Sequence, residues 1–520
     1  DFATLNCVNP IGSVAHTKPS NEIDPMKLLL SLAVAASLCA TAFSAAKVGT
    51  NMGGWLVLEP WITPSLFYRF LGKTETDVGM DAWTLCEALG AVEGNKLMRA
   101  HWDSWVTEEH IKGLADRGVE LVRLPVGDWT LRQYGPYTGC MDGAEDYIQW
   151  FLDTAHKYDL DVLLDVHAVK DSQNGFDNSG QSRNLVWTDP HNFQHWDILT
   201  SDWMGAWNGT AYESINQANM AFALQTVEQL LDRWGAHPAL YALEPVNEPW
   251  WNSDMPALKT FYRQVRALMQ RKAPLVTFVF HDAFQLSPSM WNDLFEDTDK
   301  VVMDTHFYTA WYGASEDIGT YCDGYGNGLQ VALDVKYDVW VGEWSLATDV
   351  CAMWLGGFND NNAPYVFPCG TVPCPVSYLP APYNADFDRT AESLGPYGSN
   401  AQTVHYGQCS TDSTYFSDAE VTTLGYCAYA VFDDTVQAHF LWNFRNEIEP
   451  KWSYVGAYDK GWIPHTAADA AATATTATTS TAATDVGAAA KAGKAGKVGM
   501  AGKGGKGEAP CSQRGNHCPK

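Results

Sequence analysis

The chain has 520 residues, with 61 acidic against 33 basic side chains and a formal net charge of −28. Residues 465–520 carry seven Lys/Arg against three Asp/Glu, so the rest of the chain stands at about −32. Such an acidic surface repels nucleic acid and anionic membranes, and the sequence has no basic patch, phosphate loop or dinucleotide fingerprint.

Residues 1–25 show no periodicity and read as an upstream extension absent from the mature protein. Met26-Lys27 then leads into the apolar run Leu28 to Ala42, which closes on the small-x-small triplet Ala40-Thr41-Ala42. A charged start, an apolar core of about 15 residues and small residues at the end have the form of a secretory signal peptide, here residues 26–46. The run falls short of the roughly 20 residues needed to span a membrane, which leaves a signal anchor as the minor alternative. Export is therefore expected, to the extracellular space or the cell wall, with no membrane span after cleavage.

Cysteine usage agrees with export. Eight cysteines lie between the signal and the tail: Cys86, Cys140, Cys322, Cys351, Cys369, Cys374, Cys409 and Cys427. An even set in a secreted chain predicts disulfides, although eight cysteines permit about 105 pairings. Five of them fall between Cys351 and Cys427, in a Pro/Tyr/Ser-rich stretch that reads as a long, disulfide-stapled loop. The sequon Asn208-Gly209-Thr210 predicts an exposed glycan.

Eight apolar runs are strand candidates: Val48 to Trp55, Leu121 to Val126, Val162 to Val166, Leu240 to Glu244, Val276 to Phe280, Val301 to Thr305, Val339 to Glu343 and Ala438 to Trp442. Helical segments intervene, as in Ala218 to Trp234, where Met220, Leu224, Val227, Leu230 and Leu231 follow a helix period. Strand–helix alternation repeated eight times predicts an α/β fold, a (β/α)8 TIM barrel spanning residues 47–464. A doubly wound open sheet is the runner-up. Past Pro464 the chain turns to Ala/Thr and then Gly/Lys-rich repeats, so residues 465–520 read as a disordered, O-glycosylated tail.

Two of the strand candidates end in glutamate. Leu240 to Glu244 stops in Pro245-Val246-Asn247-Glu248-Pro249, whose prolines cannot join a strand ladder and so hold Glu248 on a stiff turn. Val339 to Glu343 ends in Gly342-Glu343-Trp344. The two glutamates are 95 residues apart, three strand–helix units of roughly 30 residues, which places them on strands 4 and 7 of the barrel. A lone strand-end Glu is as well explained by a helix cap or an ion pair. A pair facing across a barrel mouth suits cleavage at an acetal carbon, where one carboxyl protonates the leaving oxygen and the other meets the positive charge on the sugar. The acidic surface is compatible with a neutral polysaccharide, and 22 tryptophans offer faces for sugar rings, though most will be packing.

Asn247-Glu248-Pro249 and Gly342-Glu343-Trp344 resemble the acid/base and nucleophile signatures of glycoside hydrolase family 5. The opening Asn51-Met52-Gly53-Gly54-Trp55-Leu56-Val57-Leu58-Glu59-Pro60-Trp61-Ile62-Thr63-Pro64-Ser65-Leu66-Phe67 resembles that of the exo-β-1,3-glucanases of fungi and oomycetes, and the likeness runs from about Val48 to Pro464. The resemblance implies a retaining enzyme that releases glucose from β-1,3-glucan chain ends; a monomer without cofactor is expected, and the histidines, scattered without metal-site spacing, predict no catalytic metal. It implies Glu248 as acid/base and Glu343 as nucleophile, with Arg123 holding Glu343 ionised. His167, Asn247, His306, Tyr308 and Trp442 match positions that line the −1 sugar site, and Glu59, Asp177 and Asn178 match those that close one end of the cleft on a terminal glucose. Phe176 matches one member of an aromatic entrance clamp, and Trp311 stands where relatives often carry Phe.

A retaining mechanism needs the two carboxyl groups about 5 Å apart. Glu248 is expected to be protonated when substrate binds, its pKa raised by the neighbouring negative charge and partial burial. An endo-β-glucanase, a mannanase or a β-1,6-glucanase on the same scaffold is the nearby alternative, and a non-catalytic cell-wall lectin the distant one.

Overall fold

A computed structural model describes residues 45–183, 185–195, 201–359, 376–384, 396–400 and 415–465. The signal segment, the tail and Cys369, Cys374 and Cys409 lie outside the described residues. So does the whole of a second contact unit, Thr475–Lys520.

Eight parallel strands close into a barrel: β1 (Lys47–Asn51), β2 (Leu121–Gly127), β3 (Asp161–Ala168), β4 (Leu240–Glu244), β5 (Thr277–His281), β6 (Val301–Phe307), β7 (Asp338–Trp344) and β8 (Ala438–Leu441). Each pairs with its neighbours in chain order and β8 returns to β1, which makes the fold a TIM barrel. All eight apolar runs form strands. The first stops at Asn51 rather than reaching Trp55, because Met52 onward turns away, with the Met52 N–H bonded to the Arg123 carbonyl and the Gly53 N–H to the Asn443 side chain.

Helices between the strands begin where the sequence offers caps. Asp81 and Thr84 form a capping box on α1 (Ala82–Trp105), and Asn216 caps α2 (Gln217–Trp234), the helix read from its periodicity. Asp254 caps α3 (Met255–Lys272), and Ser417 with Glu420 caps α4 (Asp418–Thr435). Disulfides join Cys86 to Cys140 and Cys322 to Cys427, and Cys351 is also disulfide-bonded. A small sheet of Leu185–Asp189, Asn192–His195 and Tyr397–Asn400 ties the loop after β3 to the loop after β7. Asn208 and Thr210 are exposed. Among the described residues no helix is long and apolar enough to cross a membrane.

The interior of the barrel is layered. Leu121, Leu163, Ala242, Val279, Val302, Trp340, Ala438 and Phe440 form an apolar cluster of their own, separate from the large core packed around the outside. Side chains alternate along a strand, so the residue two further on shares the inward face. On β2, β3, β4 and β6 that residue is Arg123, Asp165, Glu244 and Asp304. On β7 it is Gly342, and the Asp304 carboxylate occupies the space a Cβ there would need.

Candidate active site

Arg123 is fully buried and organises the layer above the apolar floor. Its Nε and Nη2 donate to Glu244 Oε2 at 3.2 and 3.0 Å, and Nη1 donates to Asn51 Oδ1 at 3.2 Å and to Glu343 Oε1 at 3.0 Å. Nη2 also donates to Asn247 Oδ1 at 2.7 Å and lies 3.1 Å from Asp165. Burial alone would lower the guanidinium pKa, but the charges of Asp165, Glu244, Glu343 and Asp304 raise it well above its usual value. The cation is permanent.

Glu343 reaches the mouth through a register shift. Thr305 pairs with Val341 but His306 pairs with Glu343, so Gly342 is the extra residue of a bulge, and a bulge re-aims the side chain that follows it. The second Glu343 oxygen, Oε2, accepts from Tyr308 Oη at 2.7 Å. Glu248 sits on the turn after β4 with a φ of 42°, in the left-handed region that a non-glycine residue enters only when its surroundings impose it. Its Oε2 accepts from Asn178 Nδ2 at 3.1 Å.

His306 stands between the two glutamates. Its Nδ1 is 2.7 Å from Glu248 Oε1 and 3.3 Å from Glu343 Oε2, which caps the separation of those oxygens at about 6.0 Å. Burial tends to raise the pKa of Glu248, but the hydrogen bond and charge of His306, with help from His167 and Asn178, bring it below the usual glutamate value. Glu343 is instead raised, by burial first and by the charge of Glu248, against the opposing pull of His306 and Arg123. In the free protein, then, Glu248 does not have the raised pKa expected of it with substrate bound, because the contacts with His306, His167 and Asn178 together outweigh burial.

The remaining wall groups fall into two sets. His167 bonds Asp165 at 2.6 Å, lies 3.4 Å from Asn247 Nδ2 and stacks on Trp442 with centroids 5.3 Å apart, so it joins the Arg123 network. Glu59 is buried and accepts from Trp61 Nε1 at 3.0 Å, its pKa raised by burial and then by Asp177, Glu343 and Glu248. Asp177 is raised to about 7, by burial and then by Asp81. Phe176 packs edge-on to Trp250, whereas Trp311 is 45% exposed and packs on Tyr308 and Trp452.

Asn51, Asp165, Glu244, Asp304, His281 and Trp452 belong to the site and were not singled out from the sequence. The signal for four of them was the alternation itself. Asp165 and Asp304 lie two residues before His167 and His306, and Asn51 and Glu244 pair across the ladders with Arg123 and Asp165.

Glu248, His281 and His306 each bring one potential ligand atom within 4.8 Å of the others. The 2.7 Å contact between Glu248 and His306 is a hydrogen bond, shorter than the separation of roughly 3 Å or more that two ligands of one ion adopt at ~2.1 Å bond lengths.

A buried pair of strand-end glutamates at this spacing, with an arginine, an imidazole and a tyrosine on their oxygens, is suited to chemistry at an acetal centre. The family model described as cellulase (glycosyl hydrolase family 5) matches residues 86–367. The chain belongs to glycoside hydrolase family 5. A Blumeria graminis relative named glucan 1,3-beta-glucosidase is 28% identical over 449 residues, spanning 84% of this family 5 chain and 91% of its own length. A Pichia angusta protein of the same name is 32% identical over 327 residues, 59% of this chain and 66% of that one. Among solved structures, the rutinosidase from Aspergillus niger superposes with a TM-score of 0.51 at 18% identity, covering 81% of this chain and 98% of its own, which shows a shared fold.

Proposed function

We propose that this family 5 glycoside hydrolase is a secreted, retaining exo-β-1,3-glucanase that releases glucose from chain ends. The observation that carries the retaining mechanism is the placement of Glu248 and Glu343 on one imidazole nitrogen, at 2.7 and 3.3 Å. Relatives named glucan 1,3-beta-glucosidase at 28 and 32% identity favour the linkage. Glu59 and Asp177, buried beside the pair, favour a pocket that takes a terminal glucose over a cleft open at both ends.

In this reading Glu343 attacks the anomeric carbon while Glu248 protonates the departing glycosidic oxygen. Charge on the sugar builds up in an oxocarbenium-like transition state, and Asn247, fixed by Arg123, meets the 2-hydroxyl. Once Glu343 is esterified, Glu248 takes a proton from water, and the hydroxide equivalent releases β-glucose. Trp442, stacked on His167, forms the platform under that sugar. Phe176 and Trp311 offer ring faces to the next one.

A time course on laminarin, cellulose and pustulan with anomer detection tests the proposal. Glucose as the first product, released as the β-anomer and fastest from laminarin, is expected. Oligosaccharides from the outset would remove the exo pocket, and α-glucose would remove the retaining mechanism. Azide added to Glu343→Ala should give α-glucosyl azide, and azide added to Glu248→Ala the β-azide. The secreted form should begin between Phe43 and Lys47, and N-terminal sequencing that finds Asp1 would contradict export by this route.

A further inference from the structure

We propose that the free enzyme stores the catalytic proton on His306 and passes it to Glu248 when substrate enters. The inference rests on the acid/base reading of Glu248. Carboxylate oxygens lie against both His306 ring nitrogens. Nδ1 is 2.7 Å from Glu248 Oε1 and 3.3 Å from Glu343 Oε2, and Nε2 lies 3.5 Å from Asp304 Oδ2, close enough for an ion pair but not hydrogen-bonded to it. A neutral imidazole would turn a lone pair toward one of these acceptors, whereas an imidazolium presents a donor to both sides. Burial disfavours that charge, but Glu343, Asp304 and Glu248 raise the pKa of His306 well above its usual value.

Other charges around the ring do not undo this arrangement. On β5, His281 accepts the Ala283 N–H on Nδ1 at 3.0 Å, so that nitrogen has no proton and His281 is neutral although its ring lies 4.5 Å from that of His306. Arg123 on β2 is neutralised by Glu244 and Asp165, and His167 on β3 is turned to Asp165. Asp282, beside His281, is bonded to Thr305 and is raised to about 7 by burial.

The transfer is short. The Nδ1–H bond of His306 breaks as the Oε1–H bond of Glu248 forms, leaving a neutral imidazole and a neutral carboxylic acid. Glu248 gives this proton to the leaving oxygen, later takes one from water, and returns it to His306 when Glu343 is freed as a carboxylate. A sugar in the pocket drives the first step by displacing the Asn178 bond that stabilises the Glu248 anion. Esterification of Glu343 removes one of the charges that hold the proton on His306, so the proton stays with the reaction until that ester is cleaved.

Imidazole 15N spectra of the enzyme carrying 15N-histidine, recorded from pH 4 to 8, test the proposal. The His306 signal is assigned by its loss in His306→Gln or, if that variant does not fold, by through-space contact with the His281 ring. His306 is expected to remain doubly protonated through pH 7 and to titrate at least one unit lower after Glu343 is labelled with 2-deoxy-2-fluoroglucosyl fluoride, the label being confirmed by intact mass. A neutral His306 at pH 6 in the free enzyme overturns the proposal, as does a titration that the label leaves unmoved. Failure of Glu343 to take the label instead strikes the retaining reading beneath it.

Discussion

The two ends of the barrel interior are built from the same strands and obey opposite rules. At the floor, Leu121, Leu163, Ala242 and Val302 pack with Trp340 and Phe440 into an apolar plug. Two residues further along, roughly 6.6 Å at the usual rise per residue, the same faces carry Arg123, Asp165, Glu244 and Asp304. With Glu248 and Glu343, five carboxyl groups surround two cations, Arg123 and His306. The floor is free to maximise dispersion and burial. The mouth crowds buried carboxyl groups around fewer cations, and burial with mutual repulsion raises the pKa of Glu244 and Glu343, an arrangement that suits proton traffic, so stability and reactivity are separated along each strand by a single step of the alternation.

Breaking this separation at the mouth should have the largest effect. Glu343→Gln removes the nucleophile and one member of a crowded, buried carboxyl cluster, so kcat on laminarin should fall by about 10^4-fold or more while the melting temperature holds or rises. Kinetics and calorimetry on one preparation decide it. A melting temperature that fell along with kcat would mean that the carboxylate supports the fold as well as the chemistry.

The converse substitution lies at the floor. Trp340 is buried, stacks against Tyr241 and meets Phe440, so Trp340→Ala should lower stability by about 3–5 kcal/mol through lost contacts and a cavity. Specific activity per folded molecule, measured well below the melting range, should stay within a few-fold of wild type. Activity lost in proportion to the 10^4-fold effect above would show that floor and mouth are one unit.

What the sequence made legible follows the same division. Strands could be read because a buried parallel strand is a short, continuous apolar run. The strand-end groups could be read because Pro245, Pro249 and Gly342 mark where a strand stops or bulges. Asp165 and Asp304 stayed silent because a charge inside an apolar run looks like an interruption until the partner strand is known, and Glu244 was legible only as a strand end, not as a partner of Arg123. The protonation of Glu248 could not be read at all, since it depends on a 2.7 Å contact with a residue 58 positions away. Trp452, brought to Tyr308 and Trp61 by the chain beyond β8, depends in the same way on tertiary contact alone.

The pH dependence of stability sharpens the comparison further. Burial raises Asp128, Asp177, Asp282 and Glu447 each to about 7. An acid whose folded pKa lies above its unfolded value binds more protons in the native state, so stability falls as pH rises from about 4 toward 7. His101 and His439, lowered to about 3 by burial, and His110, lowered to about 4 by burial and then Arg445, act in the other direction, and their contribution is lost as pH falls below about 6.5. Four acids against these three histidines place the melting maximum on the acid side of neutrality. A thermal scan in matched buffers should show a higher melting temperature near pH 5 than at pH 7.5, and the opposite order would reverse the balance.

The smallest effect isolates one of those histidines. His439 lies on β8, beside the floor residues Ala438 and Phe440, and is buried between Phe432, Tyr429 and Trp344, with its ring stacked on Phe432 at 4.5 Å. Neither ring nitrogen has a hydrogen-bond partner among the described residues. The site therefore treats the imidazole as an aromatic disc, and folding must strip its proton wherever the unfolded chain is charged. His439→Phe keeps the disc and removes that proton. At pH 4.5 the unfolded wild-type histidine is charged and the native one neutral, so the variant should gain about 3 kcal/mol. At pH 7.5 the unfolded histidine is neutral too, and the gain should shrink to the pH-independent part, the packing difference and relief of the unpaired ring nitrogens. Urea midpoints at the two pH values measure both numbers. An equal gain at both would assign the effect to packing alone, and His439 would then belong wholly to the apolar end of the barrel.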